Sequence, residues 1–140
     1  SAFFPEEYVT DTHQRLSLYK RLTSSQQVGD LALLHGEMQD RYGPPPDPVE
    51  RLFEVMQIKL LAKSARLASI DVKPTSIVLE FDPKAGVPED GMRRFMDRYQ
   101  RRLRLLSPLS FELQMPEADW PSLFPELTAA LQTLVFCDTK

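Results

Sequence analysis

Cysteine is all but missing: one residue, Cys137, stands near the end of the 140-residue chain. A disulfide framework or a cysteine-ligated metal site within the chain is thereby excluded, which fits a reducing, cytoplasmic setting. The Cys137 thiol reads as incidental rather than nucleophilic. Glycine is scarce, with five residues and no cluster. No GxxxxGK[ST] phosphate loop occurs, so nucleotide cleavage has no visible seat. Histidine is limited to His13 and His35, far apart in sequence. Neither lies at a spacing that would gather carboxylates around a metal. No Ser/His/Asp signature is present. The expectation is a chain with no catalytic residue, no cofactor and no metal. No apolar run approaches the roughly 18 residues that a membrane span needs. Glu6 and Glu7 stand where a signal peptide would be basic. Net charge is −3, so no global attraction to nucleic acid or anionic membrane is expected.

What is present is ordinary for a globular protein: 42% hydrophobic and 26% charged residues. The length suits one domain with a core of its own. Residues 1–10 show no period. Ser1-Ala2 reads as a remnant of cloning, and the rest as a linker that lays Phe3, Phe4, Tyr8 and Val9 on a domain spanning 11–140.

Residues 36–50 form the hinge of the chain. Gly43 stands where a helix C-terminal cap needs positive φ. Pro44, Pro45 and Pro46 stop the helix. Asp47 is a good N-cap, Pro48 suits the first helical position, and Glu50 completes an acidic capping box. One helix is expected over 12–23, capped by Asp11 or Thr12, with Leu16, Tyr19 and Leu22 inward. A second is expected over 26–42, capped by Ser25, with Val28, Leu31, Leu34, Met38 and Tyr42 as its stripe. A third starts at Pro48 and runs to about 67, burying Val49, Leu52, Phe53, Met56, Leu60 and Leu61.

The period then changes. Residues 69–73 and 76–81 read as a hairpin, with Ile77, Leu79 and Phe81 on one face. A fourth helix is expected over 88–101 with Met92, Phe95, Met96 and Tyr99 inward. A second hairpin follows over 103–106 and 109–113. A fifth helix over 120–135 carries Leu123, Leu127, Ala130, Leu131 and Leu134. The order ααα-ββ-α-ββ-α predicts an α+β fold: a three-helix layer, then two hairpins with helices packed on a small antiparallel sheet.

Two charge features stand out. Glu37 and Asp40 lie in the last turns of the second helix, where negative charge opposes the macrodipole; such a local violation points to binding. The second is the run from Arg93 to Arg104. Arg94, Arg98, Arg101 and Arg102 are placed on one helix face. They read either as a phosphate-tracking patch or as a solvated face whose stems cover apolar surface. The second alternative is favoured, since the chain is acidic overall.

Gln14-Arg15-Leu16-Ser17-Leu18-Tyr19-Lys20-Arg21 and Asp40-Arg41-Tyr42-Gly43-Pro44-Pro45-Pro46-Asp47-Pro48-Val49 resemble the C-terminal domain of bacterial transcription-repair coupling factor (Mfd). The order and spacing match over about residues 8–82. The resemblance implies a regulatory piece of a multidomain, ATP-driven DNA translocase of the bacterial cytoplasm. That protein displaces stalled RNA polymerase and recruits UvrA for nucleotide excision repair. It implies that this chain is not the motor. It implies an autoinhibitory clamp that packs on the UvrB-like N-terminal module of the same protein and masks the UvrA surface. Glu37, Asp40 and Arg41 match the positions of the clamp's contacts. The alternative is an accessory module that binds nucleic acid or RNA polymerase through the Arg93–Arg104 run.

Overall fold

The computed structural model describes residues 3–115 and 119–135. Ser1, Ala2 and Cys137 lie outside the described residues. Among the described residues, five α-helices and a four-stranded antiparallel sheet make an α+β fold, as the sequence order predicts. The chain divides into two compact units, Ser1–Leu60 and Leu61–Lys140, and the division falls within the third helix.

The first unit holds α1 (Thr12–Thr23), α2 (Val28–Tyr42) and most of α3 (Asp47–Ser64). The Asp11 carboxylate caps α1 by accepting the His13 N–H at 2.9 Å. Helix α2 begins at Val28, two residues later than the expected start at 26. Asp30 Oδ2 accepts the N–H groups of both Gln26 and Gln27, each at 3.1 Å, which fixes the start. Ser25 does not cap it, because its hydroxyl donates back to the Arg21 carbonyl. Leu18 and Leu22 of α1 pack with Leu31, Leu34 and Met38 of α2, Val49, Phe53 and Met56 of α3, and Val9. Phe4, Tyr8, Tyr42, Leu52 and Leu60 cover this cluster in part. The inward face of α1 is therefore Leu18 and Leu22, four apart. Leu16 and Tyr19, expected inside, are exposed.

At the corner, Gly43 takes φ +86° and ψ −178°, a region only glycine occupies without strain. Its N–H donates to the Gln39 carbonyl. Helix α3 opens at Asp47, one residue early. The Pro46 carbonyl accepts the N–H groups of Val49 and Glu50. Asp47 is thus the first helical residue rather than the cap, and Pro48 is the second.

The second unit carries β1 (Leu67–Val72), β2 (Ser76–Phe81), α4 (Glu89–Tyr99), a 3₁₀ turn (Gln100–Arg102), β3 (Leu103–Ser107), β4 (Ser110–Gln114) and α5 (Trp120–Val135). Both hairpins form, and they join through β2 and β4 in the order β1-β2-β4-β3. Leu79 stands opposite Ile70 on one side and Phe111 on the other. Ile77, Leu79, Phe81, Phe111 and Leu113 are buried on one face. Phe81 and Phe111 meet edge to face, 5.8 Å between centroids. Met92, Phe95 and Tyr99 of α4 and Leu123, Leu127, Ala130, Leu131 and Leu134 of α5 complete the core. Met96, expected inward, is 51% exposed. Helix α4 ends at Tyr99, so Arg101 and Arg102 sit on the 3₁₀ turn and not on the helix face.

Candidate functional site

The stripe that docks α2 fixes which residues it shows to solvent. With Leu31, Leu34 and Met38 inward, the outward side carries Leu33, Gly36, Glu37 and Asp40. Leu33 is 70% exposed. Glu37 lies one turn further along the same side, and Asp40 nearly one turn beyond that.

The three expected contact residues meet different surroundings. Arg21 of α1 reaches across to Glu37 and grips it with two parallel hydrogen bonds, Nη1–Oε1 2.9 Å and Nη2–Oε2 3.1 Å. That bond, with the Arg21 and Arg41 charges, holds the Glu37 carboxyl below the usual glutamate range. The same hydrogen bond raises the Arg21 guanidinium above its ordinary value. Asp40 is exposed and takes part in no ion pair among the described residues. Arg41 does not pair with Asp40; its guanidinium lies over the Tyr42 ring, 5.0 Å from the centroid. A shallow groove beside this face is lined by Arg21, Ser24, Ser25, Asp30, Leu33 and Glu37.

The corner holding these groups is tied down from the N-terminal segment. Tyr8 donates its hydroxyl to the Gly43 carbonyl at 2.8 Å. Phe3 N–H donates to the Pro48 carbonyl at 3.2 Å. Tyr42 donates to the Gln14 side chain at 2.7 Å. Glu50 does not close a capping box. Its carboxylate lies 2.9 Å from His35 Nε2, and the imidazole sits edge-on to Phe53.

The arginine run is largely spent inside the second unit. Arg94 Nε donates to the Thr133 carbonyl and Arg98 to the Thr133 hydroxyl, each at 3.1 Å. Arg102 donates to the Gln114 carbonyl and lies 3.5 Å from Glu126. Arg93 pairs with Asp90 and Arg104 with Glu112. Arg98 and Arg102 also flank the Tyr99 ring, at 5.4 and 5.5 Å. Guanidiniums committed to carbonyls, acids and an aromatic face are poor trackers of phosphate, and Arg101 alone of the four has none of these partners among the described residues.

Sequence reasoning missed Arg21 as the partner of Glu37 and missed the exposure of Leu33. The second had a signal: Leu33 lies off the apolar stripe. The first had none within a single helix, because the partners are 16 residues apart.

The sequence matches the model of the TRCF domain family over residues 1–92. It is 29% identical over 137 residues to the transcription-repair-coupling factor of Myxococcus xanthus, covering 97% of this chain and 11% of the relative. It is 32% identical over 106 residues to that of Bacillus subtilis, covering 74% of this chain and 9% of the relative. The chain thus spans about a tenth of the length of such relatives. Its fold superposes on the crystal structure of the C-terminal domain of transcription-repair coupling factor with TM-score 0.78, 17% identity, and coverage of 95% of this chain and 86% of that one.

Proposed function

The chain belongs to the TRCF domain family, and on that premise we propose that residues 11–140 form a regulatory interaction domain of a transcription-repair coupling factor. In this reading the domain works in transcription-coupled nucleotide excision repair, in the bacterial cytoplasm. It is not the motor. Residues 1–10 lead in from a preceding domain. The outward side of α2 docks on the UvrB-like N-terminal module of the same protein, which masks the surface that UvrA binds until the factor engages RNA polymerase on DNA.

The observation that carries the reading is the state of the two acids at the end of α2. Asp40 is exposed and has no ion pair among the described residues, where the helix dipole disfavours it, so a cation from outside improves its position. Glu37 already holds a guanidinium, so a partner arginine would exchange with Arg21 rather than meet a bare charge. Both features suit a contact that must form and release.

Calorimetric titration of the domain against the separate UvrB-like module, at low and moderate salt, tests this. Glu37→Ala with Asp40→Ala is expected to weaken binding about tenfold and to leave the unfolding midpoint nearly unchanged. Unchanged affinity would sink the proposal. If the separate pieces do not associate, the two joined on one chain should still show UvrA binding released by the double mutant.

A further inference from the structure

Helix α2 carries two rows of residues that lack polar side chains. The first, Leu31, Leu34 and Met38, is buried in the core of the first unit. The second is Gly29, Ala32, Leu33 and Gly36, at the i, i+3, i+4, i+7 spacing of a docked helix face. All four residues of the second row are exposed. Leu33 shows more of itself than any other large hydrophobic residue among those described. A Cβ built on Gly29 or Gly36 meets nothing within 4 Å. A solvated helix face ordinarily carries charged and polar side chains. Here the acids stand at the ends of the row: Asp30 beside its start, and Glu37 and Asp40 within two turns beyond Leu33. The two glycines weaken the helix, and the space above them lets another backbone approach closely.

We infer that this second row is the apolar half of the α2 docking face and seats a basic, amphipathic helix of the partner. That helix lays an apolar row against Leu33 and the glycines, and an arginine or lysine further along it reaches Glu37 and Asp40. The inference rests on the α2 reading proposed above and names the chemistry of the element that docks there. Charge decides among occupants. Two copies of α2 paired on this row, in either direction, bring Asp30, Glu37 and Asp40 of one copy toward those of the other, and only Glu37 is offset by an arginine of its own chain. Nucleic acid and anionic membrane are repelled by the same acids. A basic helix meets them with opposite sign. The two halves of the face then divide the work. The acids steer the partner and make docking depend on salt, and the apolar row supplies the area removed from water.

The test is calorimetric titration of the UvrB-like module with this chain, at several temperatures and two salt concentrations. Leu33→Ala is expected to weaken docking about tenfold and to make the heat-capacity change of binding less negative, with the salt dependence unaltered. Gly36→Gln should weaken docking at least as much, by filling the space that the partner backbone needs. Neither should lower the unfolding midpoint, because both sites are open to solvent and Ala and Gln form helix at least as well as Leu and Gly. Glu37→Ala with Asp40→Ala should instead flatten the salt dependence and leave the heat-capacity change in place. If the separate pieces do not associate, the same variants are compared with the two joined on one chain, docking being read as suppression of UvrA binding. Weakened docking in the acid variant, with Leu33→Ala and Gly36→Gln both at wild-type affinity, would overturn this inference and leave the α2 reading standing. Wild-type affinity in all three would overturn both. A concentration-dependent dimer of the chain that Leu33→Ala abolishes would assign the row to a second copy instead.

Discussion

The carboxylates of Glu37 and Asp40 stand one turn apart on α2 and meet different charges. Glu37 is bidentate with Arg21 and is held below the ordinary glutamate range. A carboxyl depressed on folding adds stability above its unfolded value, near pH 4.3, and that stability is lost as pH falls through the lower folded value. The α1–α2 contact through Glu37 therefore persists throughout neutral and mildly acidic pH. Carbon-detected NMR titration should find Glu37 titrating below the usual range in the native chain and returning toward it in Arg21→Gln. The pair is half exposed, so its loss should alter this titration more than the unfolding midpoint.

Among the elements, two glycines in helices predict opposite outcomes for one substitution. Gly91 is where α4 meets α5, and a Cβ there would fall inside the envelope of the Leu134 carbonyl oxygen. Neither backbone can yield without parting the helices. Gly91→Ala is expected to cost about 3 kcal/mol, the upper end of over-packing. Gly36, in the middle of α2, has nothing near its missing side chain, so Gly36→Ala should stabilise by about 0.5–1 kcal/mol through helix propensity. Urea midpoints at constant m-value separate the two.

The same elements show what sequence carries. The buried residues of α5 were all legible, because the wholly apolar spacing Leu123, Leu127, Leu131, Leu134 admits one inward face. In α1, Leu16-Tyr19-Leu22 and Leu18-Leu22 are competing rows, and only the facing leucines of α2 select the second. Asp11 caps α1 as expected, but the starts of α2 and α3 differ by one or two residues, because the Asp30 carboxylate and the Pro46 carbonyl fix them where Ser25 and Asp47 offered equally good caps. Glu37 and Asp40 were legible as acids against a dipole. The Arg21 clasp depends on how two helices pack, which their separate periodicities do not state.

Across the whole molecule the charge is unevenly divided. Residues 1–60 hold nine acidic against six basic residues, whereas residues 61–140 hold eleven of each. The net charge of −3 therefore belongs to the first unit. Long-range attraction of a basic partner acts on the unit that carries α2. The arginine-rich unit is neutral, and most of its guanidiniums are occupied. A gel-shift assay with duplex DNA at low salt is accordingly expected to show no complex. A complex that dissolves steeply with salt would restore the phosphate-tracking reading of Arg94, Arg98, Arg101 and Arg102.

The ties from Tyr8 to Gly43 and from Phe3 to Pro48 give the first unit a mechanical property. A pull transmitted along residues 3–8 does not spread evenly through the helices. It arrives at two hydrogen bonds on either side of the proline corner, the one at Gly43 within a turn of Asp40. That corner takes the load together with Phe4 and Tyr8, which pack on the core, so tension on the segment acts on the end of α2 as well as on the cluster beneath it.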